Sequence, residues 1–325
     1  MLSKQDFINK QMIFINSDEF RNIYLANNNL IIKQDEKIIQ QISCARIFVI
    51  FVVGDCTWTT KIIDELLNYN ITIVFLNYAL KPKFVINNQL AGNFLLREQQ
   101  YGSDYDIYIA RWIVNNKCQN QLSLLKSIRS KSDKVRQSIW YISSQITSIS
   151  QCTNDESLRW IEGNIAKNFF SAYFEDQWWY ARMPRTRIDI LNMMLDIWYT
   201  YLFNIVDACL GLWWFDIYRW VYHKAWYQRK SLVCDIMEPF RCIIDHALQK
   251  AYNLWQIDEK DFKINNGEYT LTREKRNVYT KVFLEALMNH KEDIYVYTRQ
   301  YYLMIIQKDF MKLPTFYIDK IDNKW

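Results

Sequence analysis

The chain has 325 residues, which exceeds the usual size of one domain, so two domains are the default expectation. Half of the residues are hydrophobic, and this share allows a large core and excludes wholesale disorder. A net charge of +5 permits nucleic acid as a partner without requiring it.

The cysteines and the first residues of the chain indicate the cellular compartment in which the protein is expected. Seven cysteines occur, an odd number, and no pair has the C-x-x-C spacing of a zinc or redox site, so we expect free thiols. The first residues do not have the pattern of a signal peptide. The longest apolar run, residues 47–53, is far shorter than the roughly 18 residues that span a bilayer. We therefore expect a cytoplasmic protein without a membrane partner.

The N-terminal third of the chain is predicted to be rich in β structure. Residues 23–25 and 30–32 are short apolar runs on either side of three consecutive asparagines, residues 27–29. Asparagine tolerates the left-handed conformation that a hairpin turn needs, so these runs predict a β-hairpin.

Two longer runs predict buried strands. Residues 47–53 and 71–75 are continuous β-branched and aromatic stretches, which are typical of strands buried on both faces. Residues 59–69 between them have apolar side chains at helical spacing. We expect this helix to cover one face of a small sheet.

The pattern changes to helix after about residue 90, and we find no internal repeat. The predicted fold is therefore α+β, with a small N-terminal β-sheet domain that includes a helix, residues 1–88. A larger all-α domain, residues 89–325, follows it. The helices of this second domain are predicted over residues 107–117, 121–148, 156–174, 188–210, 234–248 and 272–308.

Among the three histidines, His223 differs from the others because acidic residues follow it. Glu238 comes fifteen residues later, and Asp235 lies three residues before Glu238, so on a helix both carboxylates share one face. These like charges repel unless a cation lies between them, which makes the group a candidate metal site. An acidic first turn, or a helix cap at Ser231 or Asp235, explains the same pattern.

Glu162 lies on a predicted helix whose other residues on the same face are apolar or aromatic. A carboxylate is costly to bury there unless it is paired or bound to a metal. Gly163 costs a helix about 1 kcal/mol, which we interpret as a sign that another element approaches closely. A salt bridge to Arg182 or Arg185 explains Glu162 nearly as well as a metal does.

Five segments of the chain form a recognisable ordered set, and His223 precedes the last of them. They are residues 90–101, residues 110–125, Glu162-Gly163-Asn164 with residues 170–174, residues 187–192, and residues 231–241. In order and in the distance from His223, these segments resemble those of the CRISPR-associated integrase, the family that inserts new spacers into CRISPR arrays. Any single segment is a weak signal, whereas the ordered set is highly specific.

The chain departs from the family pattern next to the proposed ligands. Residues 220–222 and 228–230 and the side chain at Ile190 differ from the residues usual in the family. These positions flank the ligands and replace none of them, so they bear on loop shape more than on chemistry.

The resemblance implies both a catalytic site and an assembly. A divalent metal, Mg²⁺ or Mn²⁺, would be held by Glu162, His223 and Glu238, which would be the catalytic residues, and this donor set suits either ion. The implied reaction is attack by a prespacer 3′-hydroxyl on the edge of a CRISPR repeat, with endonuclease activity when water replaces the hydroxyl. The implied partners are DNA, a second copy of the chain paired through the N-terminal domain, a tetramer on DNA, and a small bridging CRISPR adaptation protein.

Further residues are assigned supporting and DNA-binding roles. Asp235 is expected to orient a ligand or share the metal, and Asn164 to do similar supporting work. Basic residues beside the ligand motifs are expected to contact DNA phosphates. They are Arg182, Arg185, Arg187, Lys224, Arg229, Lys230 and Arg241.

Three alternatives to the integrase remain open on the sequence alone. A metal-dependent nuclease that only hydrolyses DNA needs the same metal site. A non-catalytic DNA-binding scaffold would have no need to keep all three ligands. A helical interaction protein with a basic face would show no change in thermal stability when metal is added.

Overall fold

The structure is a computed structural model that describes residues 3–16, 21–34, 36–87, 93–102, 105–177, 179–223 and 229–318. A β-rich N-terminal part precedes a larger helical part, so the predicted α+β fold class is confirmed. The strands are β1 (Gln11–Asn16), β2 (Arg21–Ala26), β3 (Asn29–Gln34), β4 (Lys37–Ser43), β5 (Ile47–Val53), β6 (Thr72–Leu76), β7 (Pro82–Ile86), β8 (Phe262–Asn265) and β9 (Glu268–Leu271). The helices are α1 (Lys4–Ile8), α2 (Thr60–Asn68), α3 (Phe94–Tyr101), α4 (Asp106–Ser127), α5 (Asp133–Ile149), α6 (Asp155–Tyr173), α7 (Ile190–Gly211), α8 (Ser231–Met237), α9 (Arg241–Asn253), α10 (Arg276–Asn289) and α11 (Lys291–Gln307).

Two sheets make up the N-terminal part. The first has the order β1-β5-β6-β7, with parallel pairs β1/β5 and β5/β6 and an antiparallel pair β6/β7. The second is the antiparallel sheet β2-β3-β4. The predicted hairpin is β2/β3, and Asn27 and Asn28 form its turn with positive φ angles of 50° and 58°. Its prediction from three consecutive asparagines is therefore confirmed.

Strand β5 is buried along its whole length, as its continuous apolar run predicts. One face carries Ile50 and Val52 into a small core shared with α2 and the second sheet. Its other face carries Phe51 and Val53 into a large core shared with the helices, where the ring of Phe51 meets that of Tyr201 on α7 at 4.8 Å. The large core thus extends through both parts of the chain. The predicted boundary between residues 88 and 89 lies outside the described residues.

Three of the predicted helices are interrupted. The range 234–248 contains the end of α8, a 3₁₀ turn (Glu238–Phe240) and part of α9. The range 121–148 is interrupted at residues 128–132, between the end of α4 and the start of α5. The range 272–308 contains α10 and α11, which meet at His290. Neither of these last two breaks contains a glycine or proline. Residues 129–134 are polar, and Ser132 among them caps the start of α5, a local signal that the prediction missed. The helical part also contains the short hairpin β8/β9, which was not predicted.

The space around Gly163 contradicts one sequence interpretation. A Cβ atom added at this glycine would meet nothing within 4 Å, so the expected close approach of another element is wrong. No helix in the described ranges is both long enough and apolar enough to cross a membrane.

Candidate functional site

A pocket of about 680 Å³ brings the three predicted ligand residues together from separate segments. Glu162 lies in the middle of α6, His223 in the segment after α7, and Glu238 in a 3₁₀ turn between α8 and α9. All three side chains line this pocket. The packing of helices that are distant in sequence therefore gathers two carboxylates and an imidazole.

Asp235 determines how the imidazole of His223 is oriented. Its Oδ1 atom lies 2.6 Å from His223 Nδ1 and accepts the backbone N–H of His223 at 2.9 Å. Its Oδ2 atom accepts the backbone N–H groups of Val221 and Tyr222 at 2.8 and 3.1 Å. A carboxylate accepts hydrogen bonds, so Nδ1 of the neutral ring carries the proton and leaves Nε2 free to bind a cation. The helix-cap explanation for Asp235 is wrong, because these bonds go to the segment before α8.

Lys117 on α4 places its ammonium group between two of the predicted ligands. Lys117 Nζ contacts Glu162 Oε1 and lies 2.7 Å from Glu238 Oε2. The other carboxylate oxygen of Glu162 accepts the hydroxyl of Tyr222 at 3.0 Å. Glu162 is therefore ion-paired, but its partner is Lys117 and not the predicted Arg182 or Arg185.

Glu238 is almost fully buried, with 2% of its surface exposed, among three cationic or titratable groups. Arg241 Nε lies 2.9 Å from Glu238 Oε2, and His223 Nε2 lies 3.8 Å from Oε1. Burial by itself would raise the pKa of Glu238, but Arg241, Lys117 and His223 outweigh it and hold the pKa well below its ordinary value. For Lys117, burial would lower the pKa, but Glu162 and Glu238 raise it above its usual value. The carboxylate stays ionised and the amine stays protonated.

The side chains of Glu162, His223 and Glu238 are of the types that bind divalent metals. In the structure the two carboxylates form ion pairs with basic side chains. Carboxylate oxygens suit Mg²⁺, and an added imidazole suits Mn²⁺. Glu238 Oε2 is buried and makes no hydrogen bond of good geometry, in spite of its two close cations. No three His, Cys, Asp or Glu side chains in the described part of the chain converge closely enough to hold a metal as they stand.

Basic side chains line the same pocket as the three predicted ligands. Five of the seven predicted DNA-binding residues line it, and Lys81 joins them from the N-terminal part, a residue that sequence reasoning missed. These six residues, here called the basic wall, are Lys81, Arg182, Arg185, Arg187, Arg229 and Arg241.

The loop between α6 and α7 holds much of the basic wall in place. Asn192, which is fully buried, accepts the backbone N–H of Met183 at 2.8 Å and donates to Ala181 O at 2.9 Å. Arg185 and Arg187 both have positive φ angles, 68° and 50°. Such backbone strain in non-glycine residues persists only where the surroundings enforce it, which is typical of binding sites.

The remaining predicted residues lie elsewhere. Asn164 donates its amide to Trp160 O at 3.0 Å, one turn back along α6, and is not among the described pocket residues. Lys230 pairs with buried Asp207 at 2.5 Å and is likewise not among them. Lys224 lies outside the described residues.

Two buried asparagines on α4 hold the turn that carries Glu238 and the C-terminal segment beside it, and Asn120 is the one that contacts the turn. Asn120 Nδ2 donates to Pro239 O at 2.9 Å and to Phe316 O at 3.0 Å. Asn116 pairs with the same C-terminal segment, donating to Phe316 O at 2.7 Å. Lys117 lies between these asparagines in the sequence, so the helix that fixes the turn also delivers the ammonium. In the sequence, the available signal for this role was the recurrence of polar residues on a predicted core helix.

The buried carboxyl group of Asp245 predicts that the stability of the protein depends on pH. It is buried beside Tyr199, whose hydroxyl donates to Oδ1 at 2.5 Å. Burial raises its pKa from an ordinary 3.8 to about 7, against the opposing effects of Tyr199, Arg241, Lys117 and Arg182. Between those values the native state keeps a proton that the unfolded chain has lost, so stability falls as pH rises through this window.

We therefore expect Asp245→Asn to stabilise the protein at high pH. The neutral amide avoids the cost of a buried charge, so the variant should gain about 3–4 kcal/mol over wild type at pH 8 and little at pH 4. Urea unfolding of both proteins across this pH range measures the difference. A difference that does not change with pH would contradict the raised pKa.

The chain is similar in sequence to characterised CRISPR proteins. Residues 14–285 match the family model described as CRISPR associated protein Cas1. The "CRISPR-associated endonuclease Cas1 1" of Thermodesulfovibrio yellowstonii is 28% identical over 225 residues, which cover 66% of this chain and 71% of that protein.

Solved structures share the fold. A casposase bound to an integration product aligns with a TM-score of 0.75 at 18% identity and 94% coverage of both chains. A chain of a Cas6-RT-Cas1–Cas2 complex aligns with a TM-score of 0.81 at 20% identity. That alignment covers 95% of this chain but 36% of the other, so this chain spans about a third of its length. At these identities the likeness shows the fold alone.

Proposed function

The chain belongs to the family of CRISPR associated protein Cas1, and from this membership we propose that it is a metal-dependent DNA integrase of CRISPR adaptation. The membership confirms the family resemblance found in the residues alone. In this proposal the protein joins the 3′-hydroxyl ends of a prespacer to the edges of a CRISPR repeat, with an associated endonuclease activity. The observation that carries it is one pocket that is lined by Glu162, His223 and Glu238 together with the basic wall.

Glu162, His223 and Glu238 are the residues that hold Mg²⁺ or Mn²⁺ in this proposal. The bound ion supplies charge neutralisation at the scissile phosphate and a lowered pKa for the attacking hydroxyl. Tyr222 orients Glu162 through its hydroxyl, and Asp235 orients His223 through Nδ1. The ligand side chains are therefore held by neighbours before substrate arrives, which favours a productive geometry.

The reaction is a direct exchange of one phosphodiester bond for another. The prespacer 3′-oxygen forms a bond to phosphorus, and the bond from phosphorus to the 3′-oxygen of the repeat strand breaks. The attacking hydroxyl loses its proton and the leaving oxygen gains one, so no external energy source is required. Arg and Lys side chains of the basic wall bind the backbone phosphates and keep the attacking and leaving oxygens in line.

The proposed partners follow from the relatives. A casposase of the same fold is bound to an integration product, which supports DNA as the substrate. A Cas1–Cas2 assembly of the same fold supports a small bridging protein. We extend this to a homodimer that assembles to a tetramer on DNA.

A strand-joining assay tests the proposal. Purified protein is incubated with Mn²⁺, a short duplex with free 3′-hydroxyl ends and a supercoiled plasmid that carries a CRISPR repeat, with and without a small bridging protein. We expect joined product that disappears on addition of EDTA. Degradation without joining would favour the nuclease alternative. No reaction in either preparation would favour the DNA-binding scaffold.

Asp235→Asn is expected to lower the joining rate by about 10- to 100-fold at limiting Mn²⁺. The amide puts an N–H₂ group where the carboxylate accepts from three backbone N–H groups and from His223, so the ring loses its orientation. Joining rates are measured across a Mn²⁺ titration, where high Mn²⁺ should restore part of the loss. Asp64→Asn, at an exposed position on α2, is the control. Wild-type rates at every Mn²⁺ concentration would show that Asp235 has no such role.

A further inference from the structure

The position between the two proposed carboxylate ligands is held by a cation that belongs to the chain itself. Lys117 Nζ lies 2.7 Å from Glu238 Oε2 and also contacts Glu162 Oε1. Its side chain is only 11% exposed, so water screens these contacts weakly. Arg241 Nε, at 2.9 Å from the same oxygen of Glu238, adds a second positive group.

This arrangement balances the charge of two carboxylates that line one pocket. Two ionised carboxylates repel each other in a buried site unless a cation lies between them. A divalent ion that bridges the two carboxylates through Glu162 Oε1 and Glu238 Oε2 would need the position that the ammonium holds. The ammonium and such an ion cannot both occupy that position.

We propose that Lys117 is a positioning residue that holds Glu162 and Glu238 in place in the metal-free protein and is displaced when the divalent metal binds. This inference rests on the proposed function, because it takes both carboxylates as metal ligands. Lys117 competes with the metal for these oxygens and so lowers the affinity of the site. The site is thereby kept assembled without metal, at the expense of weaker metal binding.

An ion pair with only a structural role would behave differently. Its removal would destabilise the metal-free protein and leave metal affinity unchanged, or weaken it through disorder of the ligands. A competing ammonium predicts the opposite sign, because its removal frees the carboxylate oxygens for the metal. The dissociation constant for Mn²⁺ therefore separates the two roles.

The test is calorimetric titration of Mn²⁺ into metal-free wild type and Lys117→Met, which keeps the length of the side chain and removes its charge. Lys126→Met, at an exposed position on the same helix α4, is the matched control. We expect Lys117→Met to bind Mn²⁺ about tenfold or more tightly than wild type, with Lys126→Met unchanged. The rise in melting temperature on adding Mn²⁺ should also be larger for Lys117→Met. Equal or weaker binding by Lys117→Met would overturn the inference.

Two further proteins keep the result interpretable. Lys117→Gln retains a hydrogen-bond donor and should also bind Mn²⁺ more tightly, so it replaces Lys117→Met if that variant does not fold. Glu162→Gln should lose Mn²⁺ binding. Binding by wild type that Glu162→Gln loses, together with unchanged affinity in the lysine variants, would defeat this inference and leave the proposed function standing. Absence of Mn²⁺ binding in wild type and in both lysine variants would defeat both.

Discussion

Replacement of Glu162 by glutamine is expected to abolish metal-dependent joining, with a loss of about a thousandfold or more. Glutamine keeps the size of the side chain but removes the negative charge that attracts a divalent ion. A metal contributes several kcal/mol to stabilising charge at a phosphoryl centre, and each 1.4 kcal/mol or so is a tenfold change in rate. Joined product is scored over time at saturating Mn²⁺.

The matched control for this variant lies on the same helix. Glu156→Gln changes an exposed side chain in the first turn of α6 and should join DNA at the wild-type rate. Glu162 is itself 18% exposed, so its substitution should leave the fold intact. Wild-type joining by Glu162→Gln, with an undiminished need for Mn²⁺, would remove Glu162 from the set of ligands.

Removal of the Glu238 side chain is expected to have the largest effect on stability. Glu238→Ala leaves the partly buried Arg241 without its carboxylate partner, and leaves Lys117 with Glu162 alone. Loss of one partner from a buried ion pair costs about 3–5 kcal/mol, because the remaining charge is uncompensated. Urea unfolding in EDTA measures this loss without any contribution from metal binding.

A double substitution tests the cause of that loss. Glu238→Met combined with Lys117→Met removes a charge from each side, so part of the lost stability should return. Glu285→Ala, at an exposed position on α10, should change stability by less than about 0.5 kcal/mol. A double variant as unstable as the sum of its single variants would mean that Glu238 and Lys117 do not act as a pair.

Local sequence signals were sufficient for much of the β-rich part. The asparagines at residues 27–29 predicted a hairpin because few other residue types adopt the required turn conformation. The run at residues 47–53 predicted a strand buried on both faces, and β5 is such a strand. Predictions failed where local signals were weak or were missed. The helix breaks at residues 128–132 and at His290 contain no glycine or proline, and the cap at Ser132 was missed. Open space around Gly163 could not be read from a helix pattern.

For the candidate site, the sequence identified the types of residue and left their partners undetermined. It singled out Glu162, His223 and Glu238 and gave Asp235 a supporting role. The structure shows the contacts of these four side chains, whereas their catalytic roles remain predictions. Glu162 was expected to pair with an arginine of the α6–α7 loop, but its partner is Lys117. Pairing of this kind depends on how helices pack, which side-chain type alone does not determine.

The sequence by itself determined the family, the α+β order of the chain, the buried strands and the residue types of the candidate ligands. Each of these depends on residue identity or on spacing within a short segment. Only the tertiary structure decided that Lys117 lies between Glu162 and Glu238 and that Lys81 joins the basic wall. Lys117 and Glu162 are 45 residues apart, and Tyr222 and Glu162 are 60 apart, so these contacts exist only once α4, α6 and the segment after α7 have packed together. The charge balance of the site is therefore a property of helix packing, because no local pattern specifies which distant cation a buried carboxylate will meet.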